Sequence, residues 1–423
     1  MANDPPSPAL ARAILARVGE IGQPPEVGIE YLNVGNERVL GILEREYIRP
    51  IAETGRGSSF KLVQAYFGGG KTHFLMCLRQ IGWRYGMASA LIGLSPEECP
   101  FDDPLRIYQA VAREVAWPPA DPAVPPTRGI EYALRTAFDE RRAELGAEAF
   151  ATWIDGLVRL PVDAPPFRSA VVAFARAWNA GDAEGEELCA AWLRGESVTA
   201  TEVRARGIRD VMSRENAFRM LRSLCQILQG IGAPGLVLCF DELDRTLSLP
   251  PRRRRAIADN LRQLIDLCGR EALPGLLCLY AVPPEFMRHV VTEYPALQQR
   301  LEGPAALSER SPQAALIDLE RLDLPDEELL VQIGLRLLSL FRIARAPEMD
   351  AALQERNLRG LASEVVAGSF EVAHRRAFVK AAVELLYRQQ VEPGPVNSAE
   401  LRRLAGRGGE LVALQGGAGF EEF

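Results

Sequence analysis

The sequence predicts an α/β fold of the phosphate-loop type, with a parallel sheet at its core, on three observations. An apolar run, Phe60 to Tyr66, leads through Gly68-Gly69-Gly70-Lys71-Thr72 into a helical pattern from His73 to Tyr85. A second apolar run, Gly235 to Phe240, ends in the acidic stretch Asp241-Glu242-Leu243-Asp244. Two more runs, Ala88 to Leu94 and Leu276 to Val282, have the continuity of strands buried on both faces, as a parallel sheet requires.

The glycine stretch is the most informative element. Glycines let the backbone fold tightly enough for successive N–H groups to point at phosphate oxygens, and the positive end of the following helix adds to that field. Gly68, Gly69 and Gly70 would form the cradle, with His73 in the first helical turn. Lys71 is placed to reach β- and γ-phosphates, and the Thr72 hydroxyl to hold Mg²⁺. Ala65 stands where the usual pattern has its first glycine, so that position does not need the left-handed region. A glycine-rich turn of an unrelated α/β domain would read similarly, but it would not require the strand–loop–helix context.

The acidic strand supports the same chemistry. The first acid after such a strand holds the metal shell, and the next can polarise an attacking water. That assigns Asp241 to Mg²⁺ and Glu242 to the water. Asp244 reads as an N-terminal acid on the next helix, favoured by its dipole. Together the two motifs point to binding of ATP or GTP; no N-K-x-D stretch that would single out guanine is evident.

Composition excludes several classes. The 423 residues allow two or three domains. No window has the apolar length needed to cross a bilayer. The start, MANDPPSPALARAIL, lacks a basic region followed by an apolar one, so no secretory signal is expected. The seven cysteines are scattered without a C-x-x-C pair and read as reduced cytosolic thiols, which places the protein in the cytoplasm. With three histidines, a histidine metal site is not expected. The net charge of −7 argues against a broad nucleic-acid-coating surface but permits a local basic patch.

Along the chain, residues 1–117 read as the first part of the nucleotide-binding domain. Residues 118–233 are helical in period and contain no strand pattern, as expected of a helical insertion; Trp153, Trp178 and Trp192 there read as core. Residues 234–322 complete the α/β core, with a last short strand at Ile317-Asp318-Leu319. Residues 323–392 form a helical lid. The tail 393–423 is glycine-rich from Arg407 onward and is expected to be poorly ordered.

Strand, phosphate loop, acidic strand, further strand and C-terminal helices follow the order of an AAA+ ATPase of the initiator-loader type. The segments Val34-Gly35-Asn36-Glu37, Tyr66 to Leu75 and Phe240 to Asp244 resemble those of the BREX-associated ATP-binding proteins, the BrxD-like group of phosphate-loop proteins. The resemblance covers most of the chain. It implies ATP as the nucleotide and a place in bacterial anti-phage defence. It also implies partners, namely further copies of the chain, a co-encoded helicase or other defence protein, and double-stranded DNA, with no membrane.

The same resemblance suggests further residues. AAA+ proteins carry a polar residue at the end of the strand after the acidic one; here Tyr280 and Ala281 stand near that position, without an Asn or Thr. Arg300 is the candidate for an arginine that reaches a neighbour's γ-phosphate and neutralises developing charge; it also reads as a surface arginine on a helix. In His374-Arg375-Arg376-Ala377-Phe378, Arg376 is preferred over Arg375 as the lid arginine on the nucleotide.

Arg252-Arg253-Arg254-Arg255 opens the helix after the acidic strand, where four cations oppose the helix dipole. The cluster reads either as a contact to DNA phosphates or as a solvated helix start. Two rival functions remain open: a helicase, because Asp241-Glu242-Leu243-Asp244 mimics a DExD box, and a switch that binds nucleotide without hydrolysing it.

Overall fold

The computed structural model describes residues 4–95, 99–121, 123–242, 249–303, 305–322, 324–368 and 374–417. The chain opens with α1 (Pro8–Ile21), α2 (Glu37–Leu43) and α3 (Arg49–Thr54), followed by β1 (Ser58–Gln64), α4 (Lys71–Arg84), β2 (Ala88–Leu94) and α5 (Pro104–Glu114). Helices α6 (Ile130–Leu145), α7 (Ala147–Gly156), α8 (Pro165–Ala180), α9 (Ala183–Leu193), α10 (Ala200–Ala205) and α11 (Ala217–Ile231) come next. Then follow β3 (Leu236–Glu242), α12 (Pro251–Gly269), β4 (Leu276–Val282), the short α13 (Pro284–Phe286), α14 (Pro295–Leu301) and β5 (Leu316–Asp318). The chain continues through α15 (Asp326–Ala344), α16 (Ala351–Ala367), α17 (His374–Val391) and α18 (Ser398–Gly417).

The protein is α/β, with a five-stranded parallel sheet in the order β2-β3-β4-β1-β5. β4 therefore lies between the strand that leads to the glycine loop and the strand that ends in the acids. β2 and β3 pair in the register Ala88↔Leu236 to Leu94↔Glu242, and β3 and β4 in the register Leu236↔Leu276 to Asp241↔Ala281. Every residue of β4 is buried, which explains why its sequence is apolar without alternation.

The chain divides into two compact units. One comprises Gly41–Val63 and Leu78–Ile317, and the other Met1–Leu40, Gln64–Cys77 and Asp318–Phe423. The first unit holds nearly all of the sheet. Its strands are brought close by glycine: a Cβ on Gly235 would lie 2.3 Å from the Gly275 carbonyl. Gln229, at the end of α11, donates to the carbonyls of Gly55 at 2.6 Å and Pro234 at 2.9 Å, which anchors the start of β3.

No described residue of 118–233 is in a strand, in line with the expected helical stretch. Trp192 is fully buried there, and Trp153 and Trp178 pack around Phe138 and Phe150. These tryptophans are core residues.

In the second unit, α1 is capped by the Ser7 hydroxyl accepting from Leu10 N–H, and it ends on Gly22 in the left-handed region at φ 62°. Its apolar face (Ala11, Ile14, Leu15, Val18) joins one core with α15, α16, α17 and α18.

Two boundaries differ from the sequence reading. In the sequence, Gly35-Asn36-Glu37-Arg38 reads as the opening of a helix through Arg49. It continues to Thr54 through a π-helical turn over Glu44–Ile48. Proline clashes with the carbonyl four residues back, and the wider turn absorbs that clash. The glycine-rich tail, expected to be poorly ordered, is helical to Gly417. A Cβ on Gly408 would lie 2.6 Å from the Ala377 carbonyl, so glycine here permits close approach of α18 to α17.

Lys61 on β1 is 1% exposed, although among the described residues no carboxylate pairs with it. Its ammonium donates to the Tyr47 hydroxyl at 2.7 Å and to the carbonyls of Gln313 and Ala314 at 3.3 and 2.8 Å. Burial lowers its pKa to about 8 from the ordinary 10.5. Between those two values the unfolded chain binds the extra proton, so this group makes the fold more stable as pH rises. The expected gain, on the order of 2–3 kcal/mol, should be visible in urea unfolding at pH 7.5 and pH 10 as a wild-type rise that Lys61→Met lacks.

Candidate functional site

β1 ends at Gln64, and the next backbone bond of its ladder with β5 is from Leu319 N–H to the Gln64 carbonyl at 2.9 Å. The chain then leaves the sheet. Ala65 is buried, Tyr66 is exposed, and Gly69 N–H closes a turn onto the Tyr66 carbonyl at 3.0 Å. Phe74 N–H donates to Gly70 O at 2.9 Å, the first intrahelical bond of α4.

The glycines serve different needs. Gly68 and Gly70 have φ of 73° and 91°, where a side chain is strained. Gly69 is required by space: a Cβ there would lie 2.6 Å from Glu320 Oε1, 2.9 Å from Ala65 Cβ and 3.0 Å from the Tyr66 carbonyl. Ala65 itself stays out of the left-handed region, as the sequence implied.

Lys71 is the first residue of α4 and is 7% exposed. Its ammonium donates to the carbonyls of Ala65 at 2.9 Å and Tyr66 at 3.1 Å. An ammonium has three donors, and these two carbonyls fix its orientation across the loop. Thr72 and His73 follow in the first turn, where a helix leaves N–H groups without intrahelical acceptors. A side-chain-free cradle, a fixed ammonium and a helix start fit the phosphates of a nucleotide.

His73 Nε2 lies 3.4 Å from Cys77 Sγ, one helical turn on, and Cys77 lies 3.7 Å from Asn33 Oδ1. Asn36 Nδ2 donates to the same Asn33 oxygen at 3.3 Å. The loop helix is thus tied to the Val34–Glu37 segment. Burial pushes the Cys77 thiol well above its ordinary range, so it stays protonated. Burial, with the Arg375 charge adding to it, lowers the His73 pKa to about 4.

Of the two arginines at the start of α17, Arg375 reaches the loop backbone, whereas the sequence reading preferred Arg376 as the arginine on the nucleotide. Arg375 donates to the Gly69 carbonyl and, at 2.8 Å, to the Leu319 carbonyl. Arg376 instead donates to Ile21 O at 2.7 Å and sits 5.9 Å from the Phe67 ring centroid. Neighbours on a helix point about 100° apart, so the two meet different partners: Arg375 the Gly69 carbonyl, and Arg376 the Ile21 carbonyl and the Phe67 ring. Burial lowers the Arg375 pKa, and the carboxylates of Glu320 and Asp326 oppose that shift.

Beside the loop is a small cavity of about 60 Å³, open to solvent. Tyr66, Phe67, Leu329 and Leu330 give it apolar walls, and Glu320, Asp326, His374 and Arg375 its polar groups. Nothing local in the sequence marks Glu320, which comes from the segment after β5.

The acidic strand belongs to the other unit. Asp241 is 9% exposed and lies in register between Gly93 and Ala281, so the residue beside it on β4 is apolar. Tyr280 is buried against Phe101 and Phe240. Glu242 is the last residue of β3, opposite Leu94. Its side chain and Asp244 lie outside the described residues.

Arg300 is engaged within its own chain: it forms a two-point ion pair with Asp266 of α12 and donates to the Ala296 carbonyl. The pair holds Asp266 below the usual carboxylate range. In the arginine cluster, Arg253 makes a two-point pair with Asp102 at 2.7 and 3.2 Å. Arg255 lies 5.8 Å from the Tyr294 ring centroid, and Arg252 is exposed. Arg255 is exposed as well, while Arg253 and Arg254 are partly buried.

Among the described residues no group of three or more His, Cys, Asp or Glu could cage a metal. A Mg²⁺ ion at this loop would share its ligands with phosphate oxygens. Among the same residues no helix is long and apolar enough to cross a membrane.

The parallel sheet, the glycine cradle and the helix that it opens define a phosphate-loop nucleotide-binding fold. The chain belongs to the family described as BREX system ATP-binding protein BrxC/D, whose sequence profile matches residues 7–402. No curated protein and no solved structure matches it.

The lowered His73 pKa carries a sign. Between the ordinary 6.5 and about 4 the unfolded chain binds the extra proton, so stability is lost as pH falls through that window. Wild type should lose about 1–2 kcal/mol more than His73→Asn between pH 7 and pH 5, measured by urea unfolding.

Proposed function

We propose that the chain binds ATP with Mg²⁺ and hydrolyses it as an AAA+ module of a BREX-type phage-defence system. The observation that carries this reading is the cradle of Gly68, Gly69 and Gly70, with Lys71 fixed across it. The amides at the start of α4 receive phosphate oxygens, and Lys71 stabilises charge on the β- and γ-phosphates. Mg²⁺ neutralises charge on those oxygens when bound, with Thr72 and Asp241 as its protein ligands. Glu242 orients the attacking water.

The cavity beside the loop takes the base. Its leucine and aromatic walls suit a flat ring, while Glu320 and Asp326 repel phosphate from it. Arg375 acts from the lid, and Arg376 holds α1. Arg300 can complete a neighbour's site only by leaving Asp266. Self-assembly in a cytoplasmic setting, and engagement of a helicase or double-stranded DNA, are part of the same proposal, supported by membership of a defence-system family.

A second reading, a switch that binds ATP without turning it over, is favoured by Ala281 beside Asp241, where AAA+ proteins carry a polar residue.

ATP binding and steady-state turnover, with and without double-stranded DNA, separate the readings. Lys71→Ala should weaken binding at least about 10-fold. Glu242→Gln should keep binding and lower turnover by on the order of 10²–10⁴. Binding without turnover in the wild type supports the switch, and absence of binding sinks both readings.

A further inference from the structure

We propose that Glu320 is a positioning residue for the phosphate loop, filling with Arg375 a hydrogen-bonded pair that the sheet opens between Tyr66 and Leu319. The ladder between β1 and β5 fixes what that pair would have been. Leu62 N–H donates to Ala315 O at 2.8 Å, and Leu319 N–H donates to Gln64 O at 2.9 Å. In a parallel ladder of that register, the next bond runs from Tyr66 N–H to Leu319 O. That bond is replaced. Tyr66 N–H donates to Glu320 Oε1 at 2.9 Å, and the Leu319 carbonyl accepts from Arg375 Nη2 at 2.8 Å.

Opening the pair is what lets the chain leave the sheet at Tyr66, two residues before the first loop glycine. A backbone donor and acceptor parted in this way both need partners, and charged side chains supply strong ones. Arg375 also donates to Gly69 O, so one guanidinium spans the strand end and the loop. Glu320 Oε1 meanwhile occupies the space that a Gly69 side chain would need. Its own backbone is set by Glu320 N–H donating to Asp318 Oδ1 at 3.1 Å. Glu320 thus fixes the start of the turn and Arg375 its end.

Nucleotide affinity is then set in part by the segment that runs from β5 towards α15. By linkage, a nucleotide on the loop tightens this segment equally. The consequence for affinity rests on the reading of the loop as a nucleotide site; the effect on loop order does not.

The test uses the full chain with Glu320→Ala and with Glu320→Gln, which keeps an oxygen acceptor. Without nucleotide, hydrogen exchange of the amides from Tyr66 to Gly70 should quicken about 3- to 10-fold in Glu320→Ala and stay within about 2-fold of wild type in Glu320→Gln. A fluorescent ATP analogue should bind about 3- to 10-fold more weakly to Glu320→Ala, with Glu320→Gln again near wild type. Wild-type exchange in Glu320→Ala, or equal acceleration in both variants, overturns the proposal. Should Glu320→Ala fail to fold, Glu320→Asp keeps the charge but loses the reach. It should behave as expected for alanine, and wild-type exchange there overturns the proposal too. An unaltered wild type that binds no nucleotide refutes the functional reading, while the exchange result still decides the role of Glu320.

Discussion

The constraint on which the rest of the site depends is the turn between Ala65 and Lys71. A strand must release its chain from the sheet and deliver it to a helix start while leaving no side chain in the way. Two of the positions need glycine for conformation, and Gly69 needs it for space. The carbonyls exposed by the turn then have to be satisfied. Lys71 takes those of Ala65 and Tyr66, and Arg375 takes that of Gly69. The cations at the loop are therefore held by the backbone that forms it, so their orientation is set before any ligand arrives, which lowers the cost of binding.

Electrostatics around this turn are local. The chain carries a net charge of −7, and many of its arginines pair with nearby acids, as in Arg300 with Asp266 and Arg253 with Asp102. Exposed pairs of this kind add little stability, but they remove free cations from the surface. Positive charge at the loop comes from Lys71, Arg375 and the start of α4, and the adjoining cavity is lined by Arg375 and by the acids Glu320 and Asp326 together.

What was legible in the sequence follows from how local each signal is. β4 could be read to the residue because burial of every position leaves a continuous apolar run, and β2 was legible from its largely apolar run although it is an edge strand with Gly93 exposed. The glycine loop and the acids of β3 were legible because their chemistry is contiguous. β1 was expected to reach Tyr66 and stops at Gln64, since the side chain that replaces the next ladder bond lies 254 residues away. The choice between Arg375 and Arg376 was closed to sequence reasoning for a similar reason: both sit on one helix, and tertiary packing alone decides which faces the loop. The tail shows the reverse error. Glycine there suggested disorder, yet at Gly408 it serves close packing against Ala377.

The loop is tied to several segments of its own unit, which comprises Met1–Leu40, Gln64–Cys77 and Asp318–Phe423. Phe67 packs on Ala377, Arg375 holds Gly69, and the path from His73 through Cys77 and Asn33 reaches Asn36. A ligand that orders the loop therefore orders α17 and the segment before α2 in the same step, because the same hydrogen bonds define all three. A conformational response to nucleotide needs a free-energy difference between two arrangements of these contacts, and it can be no larger than that difference. The polar contacts among these are each worth about 0.5–1.5 kcal/mol net, so the loop and α17 can be coupled without being locked.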